Sequence, residues 1–236
     1  MEEQKHISTA FDKDLSELNA MVQKLGSLAI TQFETAIDAL ATQHMETLDH
    51  VISNDAKLDE LEAAINEKAV EVIALRSPHA RDLRQVLVAL KIATILERTG
   101  DYARNIANRT RVIAQAGNEN IPGVNIGRMG QVAQEMLRDV MQAYDGHDAK
   151  LALEVWHRDI EVDHMHTAFY KEVLASMARD PNFVATGAHL LFIAKNIERI
   201  GDYATGIAEQ VHFLVHGAVP EDSRPKADRT SKVVGV

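Results

Sequence analysis

The sequence predicts an all-α protein built from two tandem copies of one helical unit, and three observations carry that reading. The tract Glu97-Arg98-Thr99-Gly100-Asp101-Tyr102-Ala103 recurs as Glu198-Arg199-Ile200-Gly201-Asp202-Tyr203-Ala204, and aligning residues 96–107 with 197–208 gives 8 identities in 12 positions. The composition is helical, with 5% aromatic residues, five prolines and a 46% hydrophobic fraction carried mainly by Ala, Leu, Ile, Val and Met. Apolar residues recur at helical spacing over long stretches, separated by short turn signals.

The first helix is expected from about Thr9 to Leu40, where Leu15, Leu18, Val22, Leu25, Ala29, Phe33, Ala36, Ile37 and Leu40 follow a helical period. A second runs from about Met45 to Leu75 and carries Asp55 and Asp59, four residues apart. Arg76-Ser77-Pro78-His79 ends it, because a proline disfavours helical geometry in the residue before it yet fits a first helical turn. A third, from near His79 to about Ala116, holds the first Glu-Arg-Thr-Gly-Asp tract. The turn-rich stretch 117–123 then marks the boundary between copies. The pattern restarts with helices over about Ile126–Tyr144, Asp148–Ala178 and Phe183–Val215, broken at residues 145–147 and 180–182. Asp159 and Asp163 stand on the fifth helix where Asp55 and Asp59 stand on the second. The expected division is 1–117, 118–217 and a polar tail, 218–236, too poor in apolar residues to fold and therefore expected to be disordered. Rods of 30 or more residues, about 45 Å long, fit only an elongated bundle.

Composition also excludes function classes. With no cysteine, disulfides, thiolate metal sites and cysteine nucleophiles are absent, so any metal must be held by oxygen or imidazole. Glu2, Glu3 and Gln4 precede any apolar run, unlike a signal peptide, and no apolar stretch reaches the length of a membrane span, so a cytoplasmic location is expected. The net charge of −10 argues against nucleic acid or anionic lipid as a partner and against direct membrane insertion; a membrane would be reached through a protein. No nucleophile elbow, phosphate-binding glycine loop or Ser/His/Asp arrangement has a supporting context, which leaves no enzyme signature.

The acids carry the chemistry. Glu97 with Asp101, and Glu198 with Asp202, lie one helical turn apart on a face that continues an apolar stripe, and like charges at that spacing repel. Asp59 and Glu97 lie at similar distances on either side of the turn at Pro78, so antiparallel packing brings the two pairs of each copy to one height. Four converging carboxylates call for a counter-cation, and an all-oxygen set suits hard divalent or trivalent ions such as Mg, Mn, Ca or Fe, with Zn also compatible. The candidate ligands are Asp55, Asp59, Glu97 and Asp101 in the first copy and Asp159, Asp163, Glu198 and Asp202 in the second. Asn105 could add a carbonyl oxygen to the first set; its counterpart is Gly206. The plainer reading is a solvated acidic face paired with arginines such as Arg98, Arg104 and Arg199; four matched pairs in two copies favour the metal. A rival constellation is Glu-x-x-His, at Glu154/His157, Glu161/His164 and Glu209/His212, the spacing of di-iron carboxylate bundles. The first-copy positions matching the first two are His50, Ser53, Lys57 and Glu60, so both halves do not carry it.

The tracts Arg76-Ser77-Pro78, Asp82-Leu83-Arg84, Lys91-Ile92 and Leu96-Glu97-Arg98-Thr99-Gly100-Asp101, with the second Glu-Arg-Ile-Gly-Asp-Tyr-Ala, resemble the PhoU family of phosphate-transport regulators over about residues 8–216. The resemblance implies a pair of three-helix bundles with pseudo-two-fold symmetry, multinuclear metal clusters at the acidic tracts (iron, manganese or magnesium before zinc) and a homodimer. It implies a metal-binding, cytoplasmic negative regulator, peripheral to the membrane, that couples the ATPase subunit of a phosphate-specific ABC transporter to a sensor histidine kinase. Tyr203 and Gly206 stand where the family commonly has His and Asn, implying fewer ligands in the second copy. The alternative function is a di-iron carboxylate oxidase or metal-storage bundle.

Overall fold

The structure is a computed structural model that describes residues 2–42, 46–116, 124–221, 224 and 226–233. Among these residues the secondary structure is helical, with α1 (Glu2–Thr42), α2 (Glu46–Ser53), α3 (Asp55–Arg76), α4 (Arg81–Gln115), α5 (Val124–Gly146), α6 (Ala149–Arg179) and α7 (Val184–His216). The expected inter-copy boundary at 117–123 lies outside the described residues.

Each helix forms where its apolar period supplies a buried face. In α1, Leu18, Val22, Leu25, Ala29, Phe33 and Ala36 are at most 2% exposed, which is one continuous stripe at three- and four-residue steps. The expected second helix is broken into α2 and α3 at Asn54, a correction with a local cause. Ser, Asn and Asp are weak helix formers because such side chains favour local bonds to the backbone, and here Ser53 Oγ donates to His50 O at 3.2 Å. The break puts Asp55 in the first turn of α3, where the helix dipole favours its carboxylate. Ser77 ends α3 in a left-handed conformation (φ 46°) just before Pro78. Asp148 caps α6 by accepting from Lys150 N and Leu151 N, each at 3.0 Å. Gly217 ends α7 at φ 77°, with its N–H donating to Phe213 O at 2.8 Å.

Helices α1, α3 and α4 pack as one bundle, with α2 against α1 and α4, and α5, α6 and α7 pack as a second. The bundles meet through α1 on α5 and α4 on α7, so each of these helices touches its own counterpart in the repeat. In the register that matches Asp55 to Asp159, Gly26 corresponds to Gly130 and Ile37 to Met141. A Cβ on Gly26 would come within 2.6 Å of Met141 Cε, and a Cβ on Gly130 within 2.8 Å of Ile37 Cγ2. This reciprocity, in which one residue meets a second and their equivalents meet in return, defines a two-fold arrangement. The absence of side chains at both glycines is what lets α1 and α5 approach.

Within the stretch expected to be a disordered tail, the described residues 224 and 226–233 instead lie over α6 and α7 and include a 3₁₀ turn at Thr230–Lys232. Its apolar content is as low as the sequence indicates. Polar contacts to buried acids hold it, an interaction that hydrophobic patterning does not register.

Candidate functional site

The first acidic centre lies where α3 crosses α4. Asp55 projects from the start of α3, and Glu97 and Asp101 from the middle of α4. The Arg104 guanidinium, one turn beyond Asp101, bridges Asp55 Oδ2 and Asp101 Oδ1. Burial pushes the Asp55 carboxyl above its ordinary range against the pull of Arg104, with Asp101 and Asp59 adding to the rise. Burial likewise pushes Glu97 up to about 7, reinforced by Asp101, Glu62 and Asp59 and opposed by Arg98. Glu62, which sequence reasoning passed over, belongs to this neighbourhood and accepts from Thr94 Oγ1 at 2.8 Å. Asp59 and Asn105 are exposed.

Gly100 makes the crossing possible. A Cβ there would fall inside the contact radius of Leu58 Cδ1 and lie 3.3 Å from Gln32 Oε1. Its counterpart Gly201 faces the second centre itself, where a Cβ would lie 3.2 Å from Asp159 Oδ1. The glycine of the repeated tract is thus a packing requirement at Gly100, where α4 is seated against Leu58, whereas at Gly201 a side chain would make only a tight contact that a small shift relieves.

The second centre is more deeply buried. Asp159, Asp163 and Glu198 are 1%, 2% and 6% exposed, and Asp202 completes the set. Lys195 and Arg199 of α7 supply part of its counter-charge, to Glu198 and Asp202, and the segment after α7 supplies the rest. The Arg224 guanidinium contacts Asp202 Oδ1, lies 3.1 Å from Asp159 Oδ2 and donates to Thr205 Oγ1 at 2.7 Å. Ala227 N donates to Asp163 Oδ2 at 2.6 Å, and Arg229 N donates to Thr167 Oγ1 at 3.0 Å. Lys195 Nζ lies 2.6 Å from Glu198 Oε2 and 3.6 Å from Asp228 Oδ2, and His166 Nδ1 lies 3.5 Å from the same Asp228 oxygen. Burial pushes Asp159 up to about 6, with Asp163 and Glu198 adding to the rise and Arg224 opposing it. Burial holds the His166 imidazole below its ordinary value, although Asp228 pulls the other way.

The structure therefore brings Asp55 and Asp101 onto one guanidinium, and Asp159 and Asp202 onto another. In this arrangement, among the described residues, no group of three or more His, Asp or Glu side chains is placed to hold a metal ion. Both donor sets are oxygen, the chemistry a hard cation takes, and the burial of Asp55, Asp159, Asp163 and Glu198 calls for positive charge there. Arg224, Ala227, Asp228 and Lys195 were not singled out from the sequence. One signal was available: Arg104 aligns with Thr205, so the second copy lacks the arginine that the first supplies within its own helix.

The Glu-x-x-His pairs do not form a centre. Glu154, His157, Glu161 and His164 are exposed along α6, whereas a di-iron set must project into the bundle. Glu209 accepts from Trp156 Nε1 at 3.3 Å, and His212 Nδ1 lies 2.7 Å from Ala218 O. No helix among the described residues is long and apolar enough to cross a membrane.

A tandem, two-fold-related pair of three-helix bundles, each with a carboxylate centre at the same helix crossing and arginine as its counter-charge, defines a helical repeat protein with paired acidic centres. The PhoU domain matches the chain twice, over residues 22–110 and 126–211, and the chain belongs to the PhoU family. It is 40% identical to the phosphate-specific transport system accessory protein PhoU homolog of Caulobacter vibrioides over 227 residues, covering 96% of this chain and 99% of that one. Identity to the homolog of the same name in Rhizobium meliloti is 37% over 231 residues, covering 98% of each. The crystal structure of PhoU from Pseudomonas aeruginosa superposes with a TM-score of 0.86 at 30% identity, covering 88% of this chain and all of that one. That of the phosphate transport system regulatory protein PhoU from Streptococcus pneumoniae gives 0.81 at 28% identity, covering 89% and 99%.

Proposed function

We propose that this protein is the accessory regulator of a phosphate-specific transport system, a cytoplasmic adaptor without catalytic turnover. It restrains phosphate uptake and the phosphate-starvation response by linking the transporter's ATPase subunit to a sensor histidine kinase. The observation that carries the reading is similarity along nearly the whole chain to accessory proteins of that system, in both copies of the repeat. The rigid double bundle suits such a role, because long antiparallel helices present extended faces on which two partners can dock, and regulation then follows from differential binding to their states.

Metal binding is part of the proposal. Asp55, Asp59, Glu97 and Asp101, with Asn105 nearby, would hold a cation in the first centre, and Asp159, Asp163, Glu198 and Asp202 in the second. A bound Fe, Mn or Mg ion would neutralise carboxylates that burial otherwise keeps under strain, and so change the charge of the surface offered to a partner. The working form is proposed to be a homodimer.

The test is co-sedimentation with lipid vesicles. Vesicles carrying the phosphate transporter or the sensor kinase should retain the protein, and vesicles of the same lipids alone should not, given its net charge of −10. Equal retention by protein-free vesicles would replace the adaptor with a direct lipid-binding role.

A further inference from the structure

The two acidic centres are equivalent in their acids but not in what neutralises them. In the first, Arg104 stands on the same helix as Asp101, three residues away, and cannot leave the neighbourhood. In the second, the equivalent position is Thr205, whose hydroxyl donates to Asp202 O at 2.7 Å and accepts from Arg224. The guanidinium arrives from a segment beyond the end of α7, and that segment does more than deliver one charge. Ala227 N caps Asp163, Asp228 lies against His166 and Lys195, and Arg229 N is held by Thr167. Asp159, Asp163 and Asp202 are thus engaged by one short stretch of chain.

We propose that Arg224 and residues 226–233 form an intrachain plug: they supply the arginine that the second repeat lacks at Thr205, and a divalent cation enters the second centre by displacing them. The proposal rests on the metal reading of the acidic centres given above.

Two features make the plug removable. None of its described residues is fully buried, so apolar burial holds little of it in place, and segments held mainly by polar contacts open locally at low cost. Its ligands are the same carboxylate oxygens that a hard cation would take, so plug and cation exclude one another. An intrachain competitor that closes the site for about 90% of the time weakens the apparent affinity for the cation about tenfold. Cation binding at the second centre would then be read out as release of a basic, extended segment, while binding at the first would not. The fold thereby gives two centres built on matching acids different responses to the same ion.

The experiment uses the full chain, as wild type, Arg224→Gln and Asp228→Asn, with circular dichroism confirming that all three are folded. Mn²⁺ binding is titrated, and amide exchange over residues 226–233 is followed with and without Mn²⁺. In wild type, saturating Mn²⁺ should raise exchange in that segment. Arg224→Gln should raise it without metal and tighten one class of Mn²⁺ site about tenfold while leaving the other unchanged; Asp228→Asn should shift both readouts in the same direction by less. Equal Mn²⁺ affinity in wild type and Arg224→Gln, or protection of 226–233 that survives Mn²⁺ saturation of both sites, would overturn the plug and leave the metal reading standing. No Mn²⁺ binding by any of the three proteins would overturn the metal reading, and the competition with it.

Discussion

Tyr102 and Tyr203, equivalent residues of the two repeats, lie against one another with ring centroids 5.6 Å apart and planes tilted by 38°. Equivalent residues can touch only at the symmetry axis, so the pseudo-two-fold axis runs between these rings. A second equivalent pair, Glu34 and Arg138, makes an ion contact at 2.9 Å and fixes another point on it. The tyrosines therefore join the bundles at the α4–α7 contact. In a double-mutant cycle, Tyr102→Ala and Tyr203→Ala should couple by about 0.5–1.5 kcal/mol in chemical denaturation, the range for a tilted aromatic pair. Additive losses would show that the rings do not support each other.

The repeated glycines differ in what they face. Gly100→Ala must push Leu58 aside and should cost up to about 2 kcal/mol, the overpacking penalty of about 1–3 less the helix-propensity gain of about 1 for alanine. Gly201→Ala meets an aspartate oxygen at 3.2 Å, which can shift, and should change stability by less than about 0.5 kcal/mol. Urea unfolding of the two variants checks the contrast; equal losses would contradict the packing described for Leu58.

The raised carboxyls give the cation-free protein a defined pH dependence. Glu97 rises from 4.5 to about 7 and Asp159 from 3.8 to about 6, so the folded state holds protons that the unfolded chain has lost. Their contribution is present in full below the unfolded values and is lost as pH rises through about 6 to 7. In chelator, the wild type should melt at a higher temperature at pH 5.5 than at pH 8. Glu97→Gln should reduce that difference and be the more stable protein at pH 8. The lowered imidazole of His166 works in the opposite direction, so the check is the comparison of the two proteins: a pH dependence equal in wild type and Glu97→Gln would contradict the burial assigned to Glu97.

Metal should reverse the slope, since ligation requires ionised carboxylates. A cation held only by the folded state at about 100 times its dissociation constant adds roughly 2.7 kcal/mol, so chelation should lower the melting temperature at pH 8. Asp101→Ala should weaken binding at the first centre. Metal analysis on protein purified without a histidine tag or chelator, paired with the melting curves, checks both; no change in either would remove metal from the account.

Much of this was legible in the sequence because the signals are local. Apolar stripes at three- and four-residue steps marked all the long helices, and the breaks at Pro78, 145–147 and 180–182 mark real helix ends. The spacing of Asp59 and Glu97 about the Pro78 turn placed acids of α3 and α4 at one height, but the acids that share the Arg104 guanidinium are Asp55 and Asp101, one turn to either side, while Asp59 is exposed. The break at Asn54 was missed because Ser53, Asn54 and Asp55 interrupt an otherwise unbroken apolar period, and the cost of a few helix-competing side chains is small beside the burial of Leu48, Val51 and Leu58 on either side.

By itself the sequence determined the helices, the repeat and the positions of the eight acids, because each depends on residues within a turn or two or on the match between the copies. Tertiary structure alone decided which acids are buried, that Gly26 and Gly130 open the seam between the bundles, and that Arg224 reaches Asp159 and Asp202. The physical reason is range. Helix formation follows from neighbours along the chain, whereas the charge state of a buried carboxylate depends on whatever cation the fold brings to it, here from Arg224, 22 residues beyond Asp202.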